Sequence, residues 1–391
     1  MKSSLPDVQL FCRPGIVELS WGHPDLALLP VAGLLQATQV ALERDGPLAL
    51  SYGAEQGPGR LIEQLCARLG RLEGVGPPPE QVMITGGASQ ALDMLCTLLT
   101  QPGDVVLVES PTYHLALRVL RDHGLELVPV PSDDKGLRVD ALEQVLTELQ
   151  RQGRRPRLLY LVPTFNNPTG VTLEVERRET LVELVQRTQT ADSPGLIVVE
   201  DDVYHELWYD SPPPPPLCSL SPAGPVVRLG SFSKVLAPGL RLGWMCAAPG
   251  IIRRCTGSGM LDSGGGLNHF TAHVVAAFIE LGLLDRQVET LRASYRQRRD
   301  ALLDALTNHL PETCHWIRPA GGFFAWLRLP PEVDSAALLP TAESGGVSYV
   351  PGARFHTDGS GGQYCRLGFT LVSPEELEEG ARRLGSVLGN R

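Results

Sequence analysis

The sequence predicts an α/β fold: a mostly parallel, seven-stranded sheet with helices on both faces, joined to a second, smaller domain. Three observations predict it. From about residue 80 short apolar runs recur, each followed by a loop and then a helical stretch. The runs are continuous rather than alternating, which is the pattern of strands buried on both faces. And 391 residues are too many for one small core.

Taken in order, residues 1 to about 50 start irregularly, with a turn at Gly22-His23-Pro24-Asp25 and a helix over 33–44. Tyr52-Gly53 and Gly57-Pro58-Gly59 mark a loop before a helix over 61–72. The seven strand runs are 82–84, 105–108, 125–130, 158–162, 196–199, 226–229 and 242–247. Pro212 to Pro216 form a stiff, extended surface loop. Apolar residues Val288, Leu291, Tyr295, Leu302, Leu306 and Leu310 fall near one stripe, so 285–310 reads as one long helix bridging the two domains. Ser373-Pro374-Glu375-Glu376 opens a final helix with a capping box and proline at the first helical position.

Composition narrows the partners. A net charge of −10 and a pI near 5.4 argue against nucleic acid or an anionic membrane, both of which reward a basic face. The apolar helical stretch 271–284 is too short, and with His273 and Glu280 too polar, to span a bilayer. The first residues carry no long apolar region behind their charge, so no secretory signal is expected. Eight cysteines are scattered without a Cys-x-x-Cys pair, as expected of reduced residues in a cytoplasmic protein.

In parallel sheets ligands lie beyond the carboxyl ends of the strands. Residues just after the runs therefore carry the candidates. Run 82–84 opens into Thr85-Gly86-Gly87-Ala88-Ser89, small residues leading into a helix whose free N–H groups suit a phosphate, though a plain tight turn fits as well. The dinucleotide and P-loop glycine spacings are missing there. Run 105–108 leads to Tyr113, placed to stack on a flat ring or simply to fill the core. Run 158–162 leads to Asn166-Asn167-Pro168-Thr169-Gly170, a turn whose Asn167 amide can also face a phenolate.

Run 196–199 ends in Glu200-Asp201-Asp202, with Tyr204 close behind. Three carboxylates at the mouth of a buried strand are costly unless matched by a cation or a protonated ring. No His or Cys joins them at ligand spacing, so a pyridinium-type partner is favoured over a metal. His269 and His273 share the spacing of zinc-binding helices but lack the glutamate after the first histidine. No serine lies in a G-x-S-x-G elbow, which argues against a serine hydrolase.

Lys234 decides between these openings. The chain has only three lysines. Lys2 is at the chain start and Lys135 in a polar turn, so Lys234, in Gly230-Ser231-Phe232-Ser233-Lys234 with Arg241 seven residues on, is the one placed for covalent chemistry with a carbonyl. A lysine for a carbonyl, a carboxylate for a ring nitrogen, a tyrosine for the ring face, and serine, backbone N–H and arginine for a phosphate form the partner set of pyridoxal 5′-phosphate (PLP).

With Ser231-x-Ser233-Lys234 and Arg241, Asn167-Pro168-Thr169-Gly170 and Asp201-x-x-Tyr204 in this order, the chain resembles the class I/II aminotransferases of PLP fold type I. It looks closest to the 2-aminoadipate and kynurenine aminotransferase subgroup. The resemblance implies a large sheet domain over 51–284, a smaller α+β domain over 285–391, and an N-terminal segment, 1–50, packing with the smaller domain. It implies that Lys234 binds the cofactor covalently and then carries the proton. It likewise assigns Asp201 to the ring nitrogen, Asn167 and Tyr204 to the ring hydroxyl and Tyr113 to the ring face. Ala88, Ser89, Ser231 and Arg241 would hold the phosphate, and Tyr52 would reach the phosphate of a neighbouring subunit in a homodimer. Arg366, with Asn167 and Gly22, would bind the substrate carboxylate. Ala88 stands where the family often has a hydroxyl, which leaves Ser89 to serve.

The implied reaction moves an amino group from an aromatic, aliphatic or 2-aminoadipate-like L-amino acid to a 2-oxo acid such as 2-oxoglutarate. The same constellation also serves a PLP-dependent lyase acting on a β-substituted amino acid, or a PLP-sensing regulatory domain.

Overall fold

All seven apolar runs form strands of one sheet, and an eighth strand joins them. The computed structural model describes residues 6–189 and 195–389, so Lys2 lies outside the described residues. The strands are β1 (Val17–Glu18), β2 (Val82–Thr85), β3 (Val105–Ser110), β4 (Glu126–Asp133), β5 (Gly136–Leu137), β6 (Pro156–Leu161), β7 (Ile197–Asp201), β8 (Val226–Ser231) and β9 (Gly243–Cys246). They are followed by β10 (His315–Trp316), β11 (Phe324–Arg328), β12 (Val347–Ser348), β13 (Val350–Pro351) and β14 (Tyr364–Gly368).

The large sheet has the order β2-β9-β8-β7-β6-β3-β4-β5. The eighth strand, β5, is a two-residue return on β4, with Asp133 opposite Gly136. Two residues are too few to show a period, so sequence pattern cannot reveal it. The pairs β8–β7, β7–β6, β6–β3 and β3–β4 are parallel. Val106, Leu107, Val108, Leu159, Val199, Val227 and Leu229 are fully buried in these strands. Each such side chain contributes about 1.5–3 kcal/mol relative to exposure.

β9 runs against both β8 and β2. Its start, rather than its end, therefore lies at the edge where its neighbours finish. That reversal carries Arg241 to the same edge as Ser231 and Thr85, with Gly243 opposite both.

A four-stranded antiparallel sheet, β10-β11-β14-β13, lies in the C-terminal part, and β1 pairs in parallel with β12. The bridging helix runs Leu283–His309 and buries Val288, Leu291, Tyr295, Leu302 and Leu306, the expected stripe; Leu310 is its C-cap. The apolar stretch 271–284 is not one helix. His269–Glu280 ends there and Gly282, at φ 67°, starts the next helix. Left-handed backbone of this kind is cheap for glycine. The capping box at the last helix forms as expected: Glu376 Oε2 accepts from Ser373 N at 2.8 Å, and Ser373 Oγ from Glu376 N at 3.2 Å.

Candidate active site

The carboxyl ends of β2, β3, β6, β7 and β8 and the start of β9 share one edge, and the candidate side chains converge there. The three carboxylates after β7 separate by the strand's alternation. Glu200 accepts from Leu217 N at 2.8 Å and Cys218 N at 3.0 Å. Asp202 pairs with Arg228, whose Nε donates at 2.8 Å, and His205 Nδ1 lies 3.0 Å away. Both thus have N–H or cationic partners within the protein, although Asp202 Oδ1 accepts no hydrogen bond among the described residues.

Asp201 differs. Its Oδ2 accepts from the Tyr160 hydroxyl at 2.6 Å, while its buried Oδ1 has no partner among the described residues. Burial raises its pKa and the tyrosine hydroxyl opposes the rise, leaving it at about 6. A buried carboxylate with one free oxygen is a fitting receptor for a protonated ring nitrogen.

The Lys234 amine donates to the Gly22 carbonyl at 3.0 Å. It lies 5.1 Å from the centre of the Phe323 ring and 5.9 Å from that of Tyr204. Burial, then the positive charges of Arg366 and Arg241, outweigh the Asp201 carboxylate and lower its pKa to about 8. Near neutral pH roughly a tenth is therefore the uncharged amine, the form that attacks a carbonyl or takes up a proton.

A cavity of about 400 Å³ reaches from Asp201 past Tyr113, Ala88 and Ser89 and continues along Leu115, Arg118 and Asp122 of the helix His114–Asp122. Its floor is the start of the helix Ala88–Leu99, whose first backbone N–H groups have no carbonyl within the helix to meet. Gly87 precedes it at φ 99°. Arg241, itself left-handed at φ 47°, sends Nη1 to within 3.4 Å of Ser233 Oγ and Nη2 to within 3.4 Å of the Gly86 carbonyl. Ser231 Oγ accepts from Ser233 N at 3.1 Å. Gly243 lets these turns touch: a Cβ there would lie 2.7 Å from the Gly230 carbonyl oxygen and 2.8 Å from Gly87 Cα.

Arg366 projects from β14 as the strand alternation requires. Nη1 donates to Asn167 Oδ1 at 2.9 Å and Nη2 to the Ser20 carbonyl at 2.7 Å. The guanidinium lies 4.0 Å from the Phe324 ring centre and 5.1 Å from that of Phe355. Its Nε has no partner among the described residues. Asn167 is also hydrogen-bonded to Tyr204, whose phenol burial holds well above its usual range.

These groups fit PLP: an amine for its aldehyde, a carboxylate oxygen left free for its ring nitrogen, and an N–H-rich, arginine-flanked turn for its phosphate. Among the described residues no three or more His, Cys, Asp or Glu side chains cluster in a way that could hold a metal ion. The profile of the family described as Aminotransferase class I and II matches residues 14–384.

The chain belongs to the class I and II aminotransferases.

It is accordingly a PLP-dependent aminotransferase of fold type I. Aromatic-amino-acid aminotransferase 1 of Thermococcus litoralis is 35% identical over 383 residues, covering 95% of this chain and 88% of that protein. The 2-aminoadipate transaminase of Thermus thermophilus is 35% identical over 386 residues, covering 97% and 92%. A solved structure of kynurenine aminotransferase from Pyrococcus horikoshii, in complex with PMP and with kynurenine as substrate, is 37% identical with a TM-score of 0.89, covering 96% of this chain and 91% of that one.

Of the site residues expected from sequence, Lys234, Asp201, Tyr204, Tyr113, Asn167, Arg366 and the Gly22 carbonyl meet in one place, with Ala88, Ser89, Ser231 and Arg241 at its phosphate-like end. Tyr52 stands apart at the surface, 87% exposed. Two participants escaped sequence reasoning. Tyr160 sits inside an otherwise aliphatic strand, and its lone hydroxyl was the available signal. Glu109, the first charge after Val105–Val108, is buried and accepts from Val162 N at 3.0 Å and Asn166 Nδ2 at 2.8 Å. It thereby ties β3 to the turn that presents Asn167.

Proposed function

We propose that this aminotransferase takes bulky aromatic or aliphatic L-amino acids as donors, 2-aminoadipate among the candidates, and returns the amino group to a 2-oxo acid such as 2-oxoglutarate. The observation that carries this reading is the Arg366 guanidinium seated between Phe324 and Phe355, with Phe323 and Tyr204 alongside. An arginine there grips the α-carboxylate while aromatic faces flank the rest of the substrate. The aminotransferases named above favour transamination over elimination or cofactor sensing.

The residues divide the work as follows. PLP, when bound, supplies a sink for the electron pair released at the substrate α-carbon. Lys234 would hold the cofactor through its amine and, as a free amine, would take up the substrate α-proton as general base. Asp201 as a carboxylate keeps a proton on the ring nitrogen. Asn167 and Tyr204 would hold the ring hydroxyl, and Tyr113 would stack on the ring. Ala88 and Ser89 N–H groups, Ser231 and Arg241 take the phosphate. Arg366, Asn167 and Gly22 orient the substrate carboxylate so that the α-hydrogen faces Lys234.

Tyr52 reaches the phosphate site of a second copy, which makes the site a property of a homodimer. Support comes from the apolar side chains exposed near it in the chain, Val31, Leu35, Leu48 and Leu50, which a monomer would leave in water. We divide the chain at about residues 51 and 285. A cytoplasmic setting fits eight free cysteines, two of which, Cys218 and Cys246, hold their sulfurs 3.5 Å apart as thiols.

A panel of donors mixed with holoenzyme tests the assignment. Phenylalanine, kynurenine, leucine and 2-aminoadipate are expected to convert the visible band of bound cofactor to its pyridoxamine form, and 2-oxoglutarate to restore it. Ammonia and pyruvate from a β-substituted donor, without that conversion, would favour the lyase instead.

A further inference from the structure

Tyr160 is a polar group where packing alone would favour Leu or Phe. It lies in the middle of the large sheet between Leu159 and Leu161 and is fully buried. In the β6–β7 register Tyr160 is opposite Val199, so Asp201, two residues on, shares its face of the sheet. The hydroxyl crosses that offset and donates to Asp201 Oδ2 at 2.6 Å. Among the described residues it is the one hydrogen-bond donor to that carboxylate. The other ionisable groups around Asp201 are Lys234 after β8, Tyr113 beside the helix His114–Asp122, Tyr204 after β7, and Asp202 next in the chain. They act on it through space alone.

From this geometry we propose that Tyr160 is a positioning residue for the cofactor: it fixes the Asp201 carboxylate with Oδ2 engaged and Oδ1 presented to the ring nitrogen. The inference rests on the assignment of Asp201 to that nitrogen. A carboxylate held by one short bond has one free oxygen and one orientation. Without the hydroxyl, burial of Asp201 is opposed only by the charge of Lys234, and its neutral form gains. A neutral acid can donate to an unprotonated ring nitrogen as readily as a carboxylate accepts from a protonated one. The proton on the ring would then no longer be secured.

The test compares holoenzyme with Tyr160→Phe. Expected are an unchanged fold by circular dichroism, PLP affinity weaker by about tenfold and kcat lower by about tenfold, as for loss of one charge-assisted hydrogen bond. The donor KM should stay within about twofold, since Arg366 is untouched. The NMR signal of the ring-nitrogen proton should move, which a packing role would not cause. In an Asp201→Ala background, Tyr160→Phe should change PLP affinity less than twofold. An unaltered proton signal with affinity and kcat within twofold of the parent would overturn the proposal. So would an equal loss of affinity in both backgrounds, because the ring would then act by packing. Should Tyr160→Phe fail to fold, 3-fluorotyrosine at position 160, nearly isosteric and a stronger donor, must still move the ring-proton signal; no movement refutes the role. A parent protein without any visible band on addition of PLP would instead refute the cofactor assignment beneath it.

Discussion

Arg366 and Asn167 join two parts of the molecule through one hydrogen bond, Nη1 to Oδ1 at 2.9 Å. Arg366 belongs to the small C-terminal sheet and Asn167 to the turn after β6 of the large one. The bond holds the guanidinium 4.0 Å from the centre of the Phe324 ring, with Nε unmatched among the described residues, so that under the proposed assignment the donor fork is set before substrate arrives. Burial lowers the guanidinium pKa to about 10, which still leaves it charged at neutral pH.

Arg366→Lys keeps the charge but loses the planar fork and its stacking. We expect kcat/KM for amino donors to fall roughly ten- to 150-fold, the equivalent of about 1.5–3 kcal/mol for charged hydrogen bonds. PLP affinity should change little. Steady-state kinetics and a cofactor titration on one preparation separate the two effects.

The contact of Gly243 with Gly230 and Gly87 gives a second expectation. Gly243→Ala drives a methyl into backbone on two sides and must spread the turns that carry Ser231 and Ala88. Stability should drop by about 1–3 kcal/mol and PLP binding weaken with it. Gly239→Ala, where no atom lies within 4 Å of the new Cβ, is the matched control and should be near neutral in both.

Glu109 predicts a pH dependence of stability. Burial raises its carboxyl from 4.5 to about 8, against the opposing bonds from Val162 and Asn166. Between those values the folded chain holds a proton that the unfolded chain has released, so this group's contribution falls as pH rises from about 5 to 8. Glu109→Gln keeps an acceptor but does not titrate. Its stability relative to the parent should therefore climb across that window by an amount on the order of a few kcal/mol, and level off above it. Urea unfolding at a series of pH values measures this; parallel curves for the two proteins would refute it.

The strands and most of the site were legible because their signals are local. Seven apolar runs mark the strands of the large sheet, although β9 runs antiparallel and β4 is largely exposed, and the residues after the buried parallel ones fall at the functional edge by the geometry of such sheets. Lys234 stood out because lysine is so scarce here. The unread parts depend on proximity between distant segments. Nothing near Tyr160 in sequence says that a strand 40 residues on will place Asp201 beside it. Glu109 looked like the end of a strand, although its partners lie in the turn after β6. Which of three adjacent carboxylates lacks an N–H or cationic partner also needed tertiary contacts, since Arg228, His205 and the Leu217–Cys218 N–H groups pair with Glu200 and Asp202 and leave Asp201 only the Tyr160 hydroxyl.

The central claim is that Lys234 alone carries the cofactor, and labelling tests it most directly. Holoenzyme is reduced with borohydride, digested, and its peptides weighed. One phosphopyridoxyl group is expected on the peptide containing Lys234, and none when a good amino donor is added before reduction. Label on Lys2 or Lys135, or no label on a protein that shows the visible band, would contradict it.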